Sequence, residues 1–399
     1  MKRFFKILMY FVLFLVLVFA GLVLTAVITD YDPEEATLVF ESGNAQKLID
    51  TLEFDILDWN IGYCGFDKSM DFFYVGGVQV RPPQEKSINS LTGVLSFLKS
   101  QDSLEFILLQ EVDKKSKRSY RINQLDKIQT AFPEFNTYFG TNYNVFFVPT
   151  PATEPYGKVL SGLVSLSRFQ PSNVTRYSLP GKYAFPKGLF MLDRCFLAER
   201  FPVENGKELI IINTHNEAYD DGSHRKKQMQ YLHDFLMKEF QLGNYIVVGG
   251  DWNQCPPDIQ NKIEGYVFDN DDYNVIDKNL YPAEWKWIFK NDIPTNRSVM
   301  KPYDQKTSPA TVIDFFLISP NVENLGIENI NLGFEHSDHN PVKAKFRLKK
   351  EESRHQEHGQ VSHVEVLNDI APKRAMTESP ASATKSETTD SWVICKTCD

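Results

Sequence analysis

The sequence is short of cysteine, has no cationic excess, and contains no flexible segment that would divide its central part into domains. Five cysteines stand in 399 residues, at positions 64, 195, 255, 395 and 398. They are too few and too scattered for a disulfide framework, and their number settles neither redox compartment nor export. A dense set of thiols and histidines at zinc spacing is also missing. The single CxxC, "CKTC" at the end of the chain, has no second pair, and unpaired thiols are its plain reading. The formal net charge is −9, whereas a surface built to hold a nucleic-acid backbone is expected to be positive. Neither a Pro/Gly-rich linker nor a repeat of solenoid period interrupts the middle of the chain, so one central domain is expected. Aromatic residues, by contrast, make up 13% of the chain, enough for a large apolar core or an aromatic-lined cleft.

The two ends differ from the middle. After "MKRFFK" an uncharged run extends from Ile7 to Thr29; at ~1.5 Å per residue it reaches roughly 34 Å, enough to cross a bilayer core. It has no polar face, which argues against a buried helix of a soluble domain. An uncleaved anchor over residues 1–30 is expected, with a cleaved signal peptide and a secreted product as the alternative; no small-x-small cleavage site follows the run. Lys2, Arg3 and Lys6 precede the run and acids follow it, so the bulk of the chain should lie outside the cytoplasm. Residues 31–52 read as a short linker. From Lys349 to Asp399 the chain is rich in Ser, Thr, Glu and Lys and poor in apolar residues, a composition that reads as a disordered polar tail.

Residues 53–348 alternate between strand-like and helix-like runs. "FDILDWNI" (54–61), "LEFILLQEV" (104–112), "GLVSLSRF" (162–169), "ELIIINTH" (208–215), "NYIVVGGDWN" (244–253), "TVIDFFLIS" (311–319) and "PVKAKFRL" (341–348) read as strands. Several are apolar at consecutive positions, as expected of strands covered on both faces. "SINSLTGVLSFLKS" and "SHRKKQMQYLHDFLMKEF" carry apolar residues at helical spacing. Helices between such strands predict a layered α/β architecture.

Each strand-like run delivers a polar group at or near its end: Asn60, Glu111, His215, Asp251 with Asn253, and Asp338 with His339 before the last strand. Taken singly, each has a plain explanation as a turn amide, a solvated charge or a strand cap. Asp314 is different, because an acid between Ile313 and Phe315 in an apolar strand must be paired if buried, and a histidine is its natural partner. Strand ends hold side chains rigidly, so these groups are expected to converge on one rim. Carboxylates and amides without a thiolate suit a hard cation, Mg²⁺ with Mn²⁺ as a substitute, and Glu111 and Asp338 are the first choices as ligands. A histidine held by a carboxylate can deprotonate water, so the set fits hydrolysis of a phosphoester.

The motifs "WNI", "LLQEVD", "NTH", "GDWN", "IDFFLIS" and "SDHNPV", in that order, resemble those of the endonuclease/exonuclease/phosphatase superfamily. The resemblance spans roughly residues 53–348 and includes "YGKVLSGLVSLSRF". It implies the DNase I-like fold, a four-layered α/β sandwich of two packed mixed sheets flanked by helices. It also implies roles: Glu111 as the principal metal ligand, Asn60 and Asp338 in the metal region, Asp251 and Asn253 positioning nucleophile, metal or phosphate. His339 is implied as general base with Asp314 orienting it, and His215 as the group that stabilises phosphate or assists the leaving group. The expected activity is Mg²⁺- or Mn²⁺-dependent cleavage of phosphodiesters, nucleic acid first, with a sphingomyelinase-like lipid phosphodiesterase or phosphatase as alternative and a non-catalytic surface protein as the reading from another class. No protein partner is expected.

One stretch departs from that pattern. "NIGYCGFDKSMDFFYVGG" inserts an aromatic, Gly-rich segment after Asn60, and it is expected to form a lip over the cleft. Cys64 and Cys255 follow proposed site strands and are candidates for proximity. "SHRKK" at 223–227 reads either as a phosphate-contacting patch or as the solvated start of a helix.

Overall fold

A computed structural model describes residues 1–219, 222–269 and 274–350; the tail from 351 onward, with its CxxC, lies outside the described residues. Two β-sheets form its centre. The seven-stranded sheet runs, edge to edge, Ala36–Glu41, Asn173–Ser178, Cys195–Pro202, Glu208–His215, Tyr245–Asp251, Asp314–Ile318 and Lys286–Ile288. The six-stranded sheet runs Val322–Asn329, Val342–Leu348, Glu53–Asn60, Leu104–Asp113, Gly157–Ser167 and Asn136–Val148. Each sheet is mixed, with one parallel pair: Glu208–His215 beside Tyr245–Asp251, and Glu53–Asn60 beside Leu104–Asp113.

Period-two alternation explains the layering. Along Glu53–Asn60, Phe54 and Ile56 join the core between the sheets, while Leu57 and Trp59 face the helical layer. The facing sheet contributes Ile211, Val247 and Phe316 to the same central core. Outside one sheet the helix Ser223–Gln241 packs Met229, Leu232 and Leu236 against Ile210, Ile212 and Val248. Outside the other, the helices Gln84–Ser100 and Gln124–Ala131 pack Leu91, Val94, Leu98 and Ile128 against Ile107, Leu109 and Val164. The result is helix, sheet, sheet, helix, as the resemblance implied.

The stretch 31–52 is not the linker expected from its sequence. Ala36–Glu41 is the edge strand of the seven-stranded sheet, paired antiparallel with Asn173–Ser178, and Leu48 is buried in the central core. Its apolar residues are few and spaced by polar ones, so only pairing with a distant strand reveals it. Ahead of it, the helix Lys2–Ile28 has an 18-residue window of mean hydropathy 3.1 and no buried residue, and is long and apolar enough to cross a membrane.

Candidate active site

The stretch "SDHNPV" is stitched to the end of the strand Glu53–Asn60. Ser337 Oγ donates to the Asn60 carbonyl at 2.8 Å, and the Trp59 indole donates to the His339 carbonyl at 2.9 Å. Asn340 donates through Nδ2 to the Pro294 carbonyl at 3.0 Å. These bonds fix a loop whose backbone would otherwise be free to choose its own turn, and they aim His339 inward.

There His339 Nδ1 meets both carboxylate oxygens of Asp314, at 3.0 and 2.9 Å. Asp314 opens its strand directly beside Asp251, which closes the neighbouring one. Asp251 Oδ2 lies 3.8 Å from His339 Nε2 and 3.4 Å from His215 Nε2, and accepts a 2.9 Å bond from Asn60 Nδ2. One oxygen each of Asp251 and Asp314 and a nitrogen of His339 all fall within 4.8 Å of one another, an acid and histidine cluster compatible with a divalent metal. Five of the eight residues singled out in the sequence, Asn60, His215, Asp251, Asp314 and His339, therefore gather around the Asp251 and Asp314 carboxylates.

The other three stand around them. Glu111 is reached by Asn60 Nδ2 at 3.5 Å, and its backbone adopts φ +57° at an irregularity in the pairing of its strand. Asp338 lines the same cavity; a Cβ on Gly62, whose φ is +50°, would stand 2.9 Å from Asp338 Oδ1, so only glycine lets the chain pass there. Asn253, at φ +50°, turns its side chain to the Asn216 carbonyl at 3.0 Å, while its backbone N–H donates to Asp251 Oδ1 at 2.9 Å.

Electrostatics follow from crowding acids in a dry place. Burial pushes the carboxyls of Glu111 and Asp338 above their usual range, against the opposing pull of Arg118 on Glu111 and of His339 and Arg297 on Asp338. Burial also works against a charged His339, yet Asp314, Asp251 and Asp338 outweigh it and raise the ring to about 10. Asp314 is raised mainly by burial; because the imidazole holds the proton more strongly, the pair rests as imidazolium and carboxylate near neutrality. His215 behaves oppositely. Burial, then the nearby Arg194, holds it well below its usual value, so it is neutral.

Several groups at the site carried no motif. Asn142 Nδ2 lies 3.4 Å from His215 Nδ1, on the opposite side of the ring from Asp251. Asn296 Nδ2 lies 2.9 Å from His339 Nε2. Arg194 is 4% exposed, pairs with Glu217 at 3.6 Å and leaves Nη1 without a hydrogen-bond partner. The cavity above the cluster encloses about 600 Å³, and the segment after Asn60 forms one wall of it with Tyr63, Phe66, Phe72, Phe73 and Tyr74. "SHRKK" does not reach this cavity: it starts the helix Ser223–Gln241, and Arg225 turns inward to the Asn253 carbonyl at 3.2 Å. Cys64 and Cys255 are both free and buried.

The profile of the Endonuclease/Exonuclease/phosphatase family matches residues 59–339. Among solved structures, the chain is similar to an endonuclease/exonuclease/phosphatase from Beutenbergia cavernae, at 16% identity and TM-score 0.47, over 74% of this chain and 72% of that one. It is similar to another from Bacteroides vulgatus at 17% identity and TM-score 0.46, over 75% and 100%. It is also similar to the human Nocturnin catalytic domain with bound sulfate, at 14% identity and TM-score 0.48, over 77% and 97%. No curated protein matches the chain.

Proposed function

The chain belongs to the endonuclease/exonuclease/phosphatase family and is a hydrolase of its nuclease and phosphodiesterase type; from that premise we propose a Mg²⁺- or Mn²⁺-dependent phosphodiesterase centred on His339. The observation that carries this reading is the two-oxygen contact of Asp314 with His339 Nδ1, set against Asp251 on the other side of the ring.

The donor set supports a hard cation. Glu111 and Asp338 offer oxygen, whereas Asn60 gives its oxygen to the Gly62 N–H at 2.9 Å and turns its amide nitrogen toward Glu111 and Asp251; no thiol lines the cavity among the described residues, and both carboxyls are raised by burial, as expected of acids gathered for a positive charge that balances them. Held by Glu111 and Asp338, apart from the cluster of Asp251, Asp314 and His339 so that His339 stays free as base, a divalent cation would stabilise charge developing on the phosphoryl oxygens and, by balancing the acids, would lower the proton affinity of His339.

The remaining roles belong to the chain. Asp314 fixes the proton of neutral His339 on Nδ1, and Nε2, which Asn296 Nδ2 meets at 2.9 Å, takes a proton from water when that water displaces the amide. The new P–O bond forms from that water as the ester P–O bond breaks; the departing oxygen takes a proton from solvent, and protonated His339 returns one to it. His215, neutral, donates its ring N–H to a substrate oxygen, and Arg194 Nη1 supplies a second donor. Asp251 and Asn253 hold the geometry between the two histidines. The helix Lys2–Ile28 serves as an anchor, and Lys2, Arg3 and Lys6 place the catalytic domain outside the cytoplasm.

Calorimetric titration of Mg²⁺ into the full chain tests the metal assignment. Glu111→Ala should weaken binding by about tenfold or more, whereas affinity equal to the unaltered protein would remove Glu111 from the ligand set. For the substrate, nucleic acid is one reading, because bases stack on aromatic side chains such as those of the cavity wall. A lipid phosphodiester is the second, favoured by the apolar character of that wall.

A further inference from the structure

Past the N-terminal helix, thirteen of the described large apolar side chains are exposed; three of them, Tyr74, Tyr219 and Met300, line the cavity. Val78, 81% exposed, Phe185, 70% exposed, and Phe146 each stand within three positions in the sequence of a lining residue: Val75, Lys187 and Val148. Tyr74 and Tyr219 meet with ring centroids 5.3 Å apart. Isolated exposed apolar residues are ordinary, but a set gathered around one opening marks a contact surface.

The occupant of that surface is indicated by the route of the chain. The apolar helix ends at Ile28, and Tyr31 already lies against Arg176, 5.6 Å from its guanidinium carbon to the ring centroid. Asp32 pairs with Lys182, the Glu34 carbonyl accepts from Ser178 Oγ at 2.8 Å, and Ala36 begins the edge strand. Three residues span at most about 10 Å, so the helix end is held close to the domain. The helix also touches the strand Asn136–Val148 and the turn Lys187–Phe190, and both contribute side chains to the cavity wall. Phe185 precedes that turn, and Phe146 lies on that strand.

Charge argues in the same direction. Of the arginines lining the cavity, Arg118 is bound to both oxygens of Asp113 and Arg297 to the Asp67 carbonyl, which leaves few free cations to track a polyanionic strand. The wall itself is aromatic and aliphatic.

We propose that the cavity mouth docks on the membrane holding the N-terminal helix, and that the substrate is a phosphodiester-linked lipid drawn from that surface. Its phosphate reaches the His339 centre while the apolar part near the ester follows the wall formed by Phe72, Phe73 and Tyr74. The inference rests on the phosphodiesterase reading and adds the class of substrate and its route of entry. Val78, Phe146 and Phe185 act by seating the mouth in the interface and do not line the cavity.

The test uses the full chain reconstituted into phosphatidylcholine and sphingomyelin vesicles with Mg²⁺. Release of headgroup from vesicle lipid is measured beside hydrolysis of soluble bis(p-nitrophenyl) phosphate and a single-stranded oligonucleotide. The ratio of lipid rate to soluble rate, taken within each protein, is independent of how much of a variant folds. Val78→Glu/Phe146→Glu/Phe185→Glu should lower that ratio by about tenfold or more, and Phe185→Glu alone should lower it less. An unchanged ratio overturns the docking. Hydrolysis of the soluble ester and the oligonucleotide without the lipid overturns the substrate class and leaves the phosphodiesterase reading standing. Absence of metal-dependent hydrolysis on every substrate removes that reading and this one together.

Discussion

The floor of the cavity and its mouth are built by different means. At the floor, His215, Asp251, Asp314 and Asn60 sit at ends of strands within two packed sheets, and their side chains hold one another. At the mouth, the residues come from loops after Asn60, around 146–150 and around 183–192, and many are exposed. A sheet end can fix a proton-transfer geometry to within fractions of an ångström, whereas a loop can change length and composition without disturbing the core. On the proposed mechanism, turnover therefore depends on the floor and the choice of substrate on the mouth.

On that division, damage to the floor should fall on turnover with every substrate. His339→Ala is expected to have the largest effect, lowering kcat/KM on bis(p-nitrophenyl) phosphate by on the order of 10³-fold; a rate near that of the unaltered protein would exclude it as base. Asp314→Asn should follow with a loss of about 10²-fold, because it removes the negative charge and introduces an amide N–H that can hold His339 in the wrong tautomer. The same change should lower the ring's pKa in metal-free protein by more than about one unit, which an NMR titration reads directly. No shift would mean that the pair is wrongly assigned. Arg194→Ala, at the border of floor and mouth, should cost about tenfold in kcat/KM on small phosphodiesters; an unaffected rate would place the substrate anion elsewhere.

The smallest effect belongs to the core beneath both regions. Glu199 is fully buried and burial pushes it up to about 8, against a smaller opposing pull from Ser165. Its folded value lies above the ordinary carboxyl value of about 4.3, so the folded state holds the proton more tightly than the unfolded one. The stability it contributes is present below about pH 4.3 and is lost as pH rises toward 8. Glu199→Gln should therefore raise Tm by a few degrees above pH 8 and by little near pH 4, read by thermal melts across that range.

How much of this is legible in the sequence depends on where a residue stands. Asp314 is readable because a buried acid in an apolar strand demands a partner, and the structure supplies His339. The seven strand-like runs each contain or overlap a strand. Cys195–Pro202 and Asn136–Val148 escape the hydrophobic pattern because polar residues interrupt them, and the same interruption makes Ala36–Glu41 read as linker. Asn142 and Arg194 have no motif around them; packing of the two sheets brings Asn142 to His215, and the pairing of Cys195 with His215 brings the neighbouring Arg194 to the cavity. The positive φ of Glu111 is likewise a product of the sheet irregularity beside it. Burial of Arg225 against Asn253 settles "SHRKK" as a helix start, since its inward cation is already used.

The most direct measurement is hydrolysis of bis(p-nitrophenyl) phosphate by the full chain after chelation, followed by return of Mg²⁺ or Mn²⁺, with His339→Ala alongside. The account predicts that chelation abolishes turnover, that either ion restores it in the unaltered protein, and that neither restores it in His339→Ala. Turnover that survives chelation, or a variant that recovers fully with metal, would contradict a metal-dependent centre in which His339 is the base.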